Sequence, residues 1–133
     1  HMPEYLLNLT KFLIPLLLGG LIFFSALVAP SVFTSLDEKN ARVFLRGIFP
    51  KLYLFAGIFS LFISLILFFI NNFLSFIYFI ITIGYFYSRQ FLMIKINEAS
   101  DQKNKKEFKK LHRFSVLIFI VQILLMLLIY IIL

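Results

Sequence analysis

The sequence of 133 residues contains no cysteine and no tryptophan, and only 14% of its residues are charged. Without cysteine the chain cannot form a disulfide, a thiolate metal site or an iron–sulfur cluster. The charged fraction lies well below the roughly 25% of typical globular domains, whereas 62% of the residues are hydrophobic. A soluble protein of this length has too high a surface-to-volume ratio to bury so much apolar surface. The composition therefore indicates a protein whose solvent is mostly lipid.

Acidic residues are also absent from the long apolar stretches, because all six lie in predicted tails or loops. A proton relay or a cation path lined by intramembrane carboxylates is therefore not expected. No Gly-rich phosphate loop, catalytic triad or metal-ligand spacing is present, so the sequence predicts no catalytic residue, no metal site and no cofactor. His1 precedes Met2 and is interpreted as a cloning remnant, which leaves His112 as the one native histidine.

Three long uncharged runs, residues 12–36, 52–88 and 114–133, are the main structural signal. A membrane-spanning helix needs about 20 apolar residues. The second run is too long for one helix, and Asn71 and Asn72 divide it into two. The sequence therefore predicts an all-α integral membrane protein with a single domain, residues 1–133, in which four transmembrane helices form an antiparallel bundle. The predicted spans are about 12–34, 52–70, 73–94 and 114–133.

Between the first two spans, residues 37–49 have the pattern of an amphipathic helix. Apolar residues recur at helical spacing from Ala41 to Phe49, and the basic residues lie off that stripe. Ser35 and Glu38 fit a capping box at its start, and Pro50 suits the first turn of the span that follows. We expect a short amphipathic helix that lies in the membrane interface between helices 1 and 2.

The positive charges are concentrated on one side of the predicted bundle. The net charge is +7, and residues 37–51 hold four Lys or Arg while residues 95–113 hold seven. The opposite side holds Lys11 alone. Since basic residues favour the cytoplasmic side, both charged loops are predicted to be cytoplasmic and both termini to lie across the membrane. Abundant Phe, Ile, Lys and Asn favour a bacterial cytoplasmic (inner) membrane. The later half of residues 95–113 is expected to begin the fourth helix early.

Polar residues inside the predicted spans indicate a candidate site. A stripe of five polar residues, spaced by three and four positions, runs along the third helix from Ser75 to Arg89. Three polar residues from His112 to Gln122 share a face of the fourth helix. These groups either line a polar cavity that opens toward the cytoplasm, or form hydrogen bonds with one another that fix the packing of the helices. Arg89 either extends its guanidinium to the lipid headgroups, pairs with another group of the chain, or binds an anion. The candidate ligand-binding residues are Tyr85, Arg89, His112, Ser115, Gln122 and Arg46.

Short motifs stand after the first span, at residues 29–33 and 44–50, and in the last third, at 96–99 and 108–115. In their order and spacing the sequence resembles the small four-helix membrane proteins of the family called domain of unknown function 4149, which are related to a eukaryotic transmembrane protein associated with cisplatin resistance. The resemblance covers nearly the whole chain, and it implies a four-helix membrane fold without implying a reaction. By matching positions it directs attention to Pro30, Phe33, Asp37, Pro50, Asn97, Asp101 and Arg113, besides Arg46, His112 and Ser115.

The two aspartates among these motif positions have two interpretations. Asp37 and Asp101 either pair with Arg46 or Arg113, or they cap helices, which aspartate does well.

Three functions remain open at this point. The first is a non-enzymatic membrane protein in transport or efflux, or in a membrane complex; it would be oligomeric, with small-residue faces of helices 1 and 2 at the interface. The second is binding of anionic lipid headgroups or a hydrophobic small molecule by arginines. The third is a haem-binding or redox protein, with His112 as ligand alone or with Tyr85 or Met93. The expected partners are the lipid bilayer and a second copy or a membrane subunit, and not nucleic acid.

Overall fold

A computed structural model describes residues 2–133, with side chains from Glu4 onward, so His1 lies outside the described residues. The described chain contains four helices long and apolar enough to cross a membrane, as the sequence predicts. We number them α1 to α4. Helix α1 consists of the α-helix Met2–Phe23, a π-helical turn Phe24–Val28 and the α-helix Ala29–Ser35; α2 is Glu38–Phe68; α3 consists of Asn72–Tyr87, a π-helical turn Ser88–Leu92 and Met93–Asp101; and α4 is Lys105–Ile132.

Helix α2 is one helix of 31 residues, so a separate interfacial helix over residues 37–49 is not confirmed. Pro50 lies inside α2 without ending it, although proline removes a backbone bond and usually kinks or breaks a helix. Tertiary contacts hold the turns that precede it. Phe49 packs edge-on against Phe24 of α1, with 5.4 Å between ring centroids, and Arg46 donates to Asp101 at the end of α3. The residues before Pro50 therefore extend α2.

The start of α2 is capped by Asp37, whose carboxylate accepts a hydrogen bond of 2.8 Å from the backbone N–H of Asn40. The expected capping box that begins at Ser35 is wrong, because Ser35 is the last residue of α1 and Leu36 has extended backbone. The helix begins only after Asp37. Of its two interpretations, Asp37 therefore follows the capping one.

Helix α3 continues past its expected end near residue 94 as far as Asp101, and only residues 102–104 connect it to α4. Ile96 and Ala99 are buried, so the apolar side of α3 continues beneath its charged residues. The expected loop over residues 95–113 is thus mostly helical. The start of α4 at Lys105 confirms that the fourth helix begins early.

All four helices contribute to one core. Its buried side chains include Ile14 of α1, Tyr53 of α2, Tyr78 of α3 and Met126 of α4. Only between 22% and 44% of the apolar part of each helix is buried, and most of the remaining large side chains are exposed and apolar, such as Phe73. A surface of this kind indicates a multi-pass membrane protein, because lipid rather than water must cover it.

Helices α2 and α3 run in opposite directions and pack closely. The Ser64 hydroxyl donates to the Ser75 carbonyl at 3.0 Å, and the Ser75 hydroxyl donates to the Ser64 carbonyl at 2.8 Å. Farther along, a Cβ added at Gly57 would lie 2.8 Å from the ring of Phe86. The small residues of α2 that were expected at a contact between copies, Ala56, Ser60 and Ser64, are buried inside the chain.

We expect Asp37→Ala to lower the free energy of unfolding by about 1 kcal/mol, the usual cost of losing an N-cap side chain. The matched control is Ser35→Ala, which removes the hydroxyl of the alternative capping residue and should change stability little. Unfolding of the purified protein in detergent, followed by circular dichroism, measures both. A larger loss for Ser35→Ala would contradict the assignment of the cap.

Candidate functional site

The polar stripe of α3 faces the core. Its first four residues, Ser75, Tyr78, Thr82 and Tyr85, are buried. The Thr82 hydroxyl donates to the Tyr78 carbonyl of its own helix at 3.0 Å, and the Tyr85 hydroxyl donates to the Met126 sulfur of α4 at 3.4 Å. These hydroxyls thus bond to groups of the same chain, as the packing interpretation expects, rather than lining an open channel.

Gln122 of α4 occupies a notch in α3. Its side chain is 4% exposed, and its Nε2 donates to the Ile81 carbonyl at 2.9 Å. The notch exists because Gly84 has no side chain: an added Cβ there would lie 2.4 Å from Nε2 of Gln122. The amide also borders a shallow apolar groove of about 280 Å³ between α3 and α4. Gln122 therefore joins the two helices inside the membrane.

Three buried polar atoms have no hydrogen-bond partner among the described residues: Oε1 of Gln122 and the hydroxyls of Ser60 and Tyr78. Each unpartnered buried polar atom costs about 1–3 kcal/mol. The polar core therefore positions the helices at some expense in stability.

Arg46 connects the charged ends of α2 and α3. Its Nη2 donates to a carboxylate oxygen of Asp101 at 2.6 Å and to the Asn97 carbonyl at 3.2 Å. The pairing of Asp101 with Arg46 is one of those expected from sequence. Arg42 pairs with Glu38 one turn earlier in its own helix, at 3.3 Å. Both arginines thus have a carboxylate partner within the chain.

Arg89 lies in the π-helical turn of α3 and is half-buried. Its Nε donates to the Pro50 carbonyl of α2 at 3.1 Å, and its Nη1 donates to the side chain of the adjacent Gln90. Of the three expected roles, these contacts favour pairing, because the guanidinium bonds to groups of the chain.

The remaining candidates on α4 are separate from this contact. His112 is exposed and stacks on Phe108, with 5.8 Å between ring centroids and 3° between ring planes. The hydroxyl of the buried Ser115 donates to the His112 carbonyl at 2.7 Å, and Arg113 is exposed. The structure therefore does not gather the candidates in one cavity: Tyr85 and Gln122 lie in the core, Arg46 and Arg89 join α2 to α3, and His112 lies at the surface.

The same placement bears on haem and metal binding. The Tyr85 hydroxyl bonds to Met126 in the core, whereas His112 lies exposed beside Phe108, so these two potential ligands face different surroundings. Within residues 2–133, no group of three or more His, Asp or Glu side chains is arranged to hold a metal ion.

Most of the other motif positions contribute to local structure. Pro30 and Phe33 are exposed in the last segment of α1. The π-helical turn that precedes Pro30 lets the Ala29 N–H reach back five residues to the Phe24 carbonyl, which rearranges the backbone bonds just before a residue that has no N–H. Pro50 and Asn97 supply backbone carbonyls to the arginines described above.

Gly57 and Gly84 are not among the candidates from sequence, yet each permits a close contact inside the protein. A glycine within an apolar helix often indicates close approach of another helix. That signal is visible in the sequence, but the partner side chain, Phe86 or Gln122, is not.

The chain matches no family model, no curated protein and no solved structure. The resemblance to domain of unknown function 4149 therefore stays a prediction.

We expect Gly84→Ala to lower the free energy of unfolding by about 1 kcal/mol, because the new Cβ displaces the Gln122 amide from the Ile81 carbonyl. In a Gln122→Ala background the same change should cost much less, so the two substitutions are coupled. Gly20→Ala is the control, because nothing lies within 4 Å of a Cβ added there. Unfolding in detergent measures all four variants. An equal cost of Gly84→Ala in both backgrounds would contradict the notch.

Proposed function

We propose that this protein is a non-enzymatic, multi-pass membrane protein that acts as a subunit of an oligomer of its own chain. The observation that carries the proposal is the outer face of α1, defined by Pro15, Gly19, Ile22 and Ala26. These residues follow one another by three or four positions, and all are exposed. The small residues of this face are Gly19 and Ala26, two helical turns apart, and small residues let the backbone of another transmembrane helix approach closely.

The glycines of α1 support a contact from outside the chain. A Cβ added at Gly19 or Gly20 meets nothing within 4 Å, whereas one added at Gly57 or Gly84 meets a neighbouring side chain. Glycine in a helix costs about 1 kcal/mol relative to alanine. For Gly57 and Gly84 the cost is offset by packing inside the protein, and for Gly19 a second helix would offset it.

A second copy of the chain is the occupant that fits the outer face of α1. Most homo-oligomers are symmetric, and a two-fold interface brings the same patch of both subunits together. Two such faces are complementary, because the backbones can approach at Gly19 and Ala26 while the Ile22 side chains pack beside them. A role in transport or in a larger membrane complex would then depend on surfaces between subunits, since Thr82, Tyr85 and Gln122 each donate a hydrogen bond within one copy.

In the membrane, the proposed arrangement is an antiparallel bundle whose charged ends face the cytoplasm of a bacterial cell, with the fold of domain of unknown function 4149. Helix α2 has 31 residues and is about 46 Å long, which exceeds the bilayer core of about 30 Å. The excess lies at its charged start, where Arg46 bonds to Asp101. The first turns of α2 therefore lie at the headgroup level, and the eleven Lys and Arg of residues 37–51 and 95–113 favour the cytoplasmic side.

Disulfide cross-linking tests the oligomer cleanly, because the chain contains no cysteine. We expect Ile22→Cys on the outer face of α1 to form a disulfide-linked dimer in native membranes under mild oxidation. The matched control is Ile83→Cys on α3, since the two isoleucines are 49% and 51% exposed. Gly19→Leu should abolish the Ile22→Cys dimer by separating the backbones, while Gly47→Leu adds the same bulk at another open glycine and should leave the dimer intact.

Two results would contradict this proposal. The first is cross-linking of Ile22→Cys no faster than that of Ile83→Cys, and the second is a dimer that persists in the presence of Gly19→Leu. If light scattering shows a single copy of the chain per micelle and no cross-link forms, the oligomer of this chain is excluded. The outer face of α1 would then be expected to contact a different membrane subunit.

A further inference from the structure

We propose that the start of α4 binds the phosphate headgroups of anionic phospholipids through one face of five basic side chains. This basic face consists of Lys105, Lys106, Lys109, Lys110 and Arg113, all of which are exposed. At about 100° per residue, these positions fall within an arc of about 140° on the helix. They directly precede Phe114, where the apolar part of α4 begins.

The local physics of the helix opposes this arrangement. The first turn of a helix carries a partial positive charge, so basic residues there are unfavourable. Three pairs of like charge, Lys105 with Lys109, Lys106 with Lys110, and Lys109 with Arg113, stand at i, i+4 spacing and repel one another. A feature that conflicts with local stability in this way is typical of a functional site.

Among the described residues, no carboxylate forms an ion pair with any of the five basic side chains. In the part of the chain that the structure describes, the ion pairs are Arg42 with Glu38 and Arg46 with Asp101. The acid on the same turns is Glu107, whose backbone N–H bonds to the Asn104 side chain and which lies on the other side of the helix from the basic face. One carboxylate on these turns cannot balance five cations, so the basic face keeps a net positive charge that can attract an anion from outside the chain.

Topology alone does not account for the basic face. The preference for basic residues on the cytoplasmic side requires charges near the membrane, but it does not require them on one face of one helix. Phe108 and Leu111 are half-buried on the opposite side of these turns. Because α4 is continuous from Lys105 to Ile132, the basic face and the apolar part of the helix belong to one helix.

The surface below the basic face identifies a phospholipid rather than a nucleic acid or an acidic protein. Val116, Leu117 and Ile120 lie within the same arc of α4, one to two turns farther along, and all three are exposed. A single phospholipid can therefore place its headgroup on the cations and an acyl chain on these apolar side chains. Clusters of basic residues next to a membrane helix attract anionic lipids.

The test uses the full chain in phosphatidylcholine bilayers with spin-labelled phosphatidylglycerol or phosphatidylcholine as the probe. Electron paramagnetic resonance measures the fraction of each labelled lipid that is immobilised on the protein. We expect a preference for phosphatidylglycerol of roughly fivefold, about the contribution of one well-placed basic residue. The preference should fall in 1 M salt, where charges are screened beyond about 3 Å.

Two triple variants, each lacking three positive charges, test whether the preference for phosphatidylglycerol depends on the basic face. Lys105→Gln, Lys109→Gln and Arg113→Gln together should reduce it to near unity. Lys39→Gln, Lys51→Gln and Lys95→Gln together remove three other exposed basic residues and should leave it unchanged. Circular dichroism checks the helix content of both, and Lys106→Gln with Lys110→Gln is a second variant of the basic face if the first fails to fold.

An equal loss of preference in the two triple variants would overturn the proposal, because any nearby positive charge would then suffice. The absence of a phosphatidylglycerol preference in the unmodified protein would overturn it as well, whatever other anion the basic face binds.

Discussion

Reciprocal hydrogen bonds between Ser64 and Ser75 fix the register of α2 against α3, and the rest of the structure depends on that pair. With this register set, Gly57 lies against Phe86 and Arg46 reaches Asp101 at the far end of the same contact. In lipid, association of helices cannot rely on burial of apolar surface, because acyl chains are equally apolar. Close backbone approach and hydrogen bonds therefore hold the two helices together.

The same constraint explains which expectations from sequence are confirmed. The uncharged runs of the sequence predict the four membrane-spanning helices directly, because a charged side chain within the bilayer has a high free-energy cost. The spacing from Ser75 to Tyr85 predicts that one side of α3 avoids lipid, and these residues are indeed buried. Periodicity identifies a face but not what covers it. For that reason the same residues fit both a cavity and a packed contact, and in the structure Tyr85 bonds to Met126 of α4.

Helix ends and breaks were harder to predict, since tertiary contacts decide them. Pro50 normally ends or kinks a helix, yet α2 continues through it because contacts with Phe24 and Asp101 hold the preceding turns. Residues 95–101 are rich in charge and resemble a loop in sequence, but buried Ile96 and Ala99 extend α3 beneath them. The notch at Gly84 is likewise invisible without the position of Gln122.

Two features outside the core, Gly19 of α1 and the basic face of α4, are the basis of the proposed contacts with other molecules. A glycine or a like-charge pair lowers the stability of a helix, and it persists where some contact offsets that cost. Gly57 and Gly84 make that contact inside the chain. Among the described residues, a Cβ added at Gly19 would meet nothing within 4 Å, and the basic face of α4 forms no ion pair. Their locations also differ: Gly19 lies within the apolar part of α1, and the basic face lies outside the apolar part of α4. The proposed second helix and the proposed lipid headgroup would therefore occupy separate places on the protein, so a substitution that removes one is expected to leave the other in place.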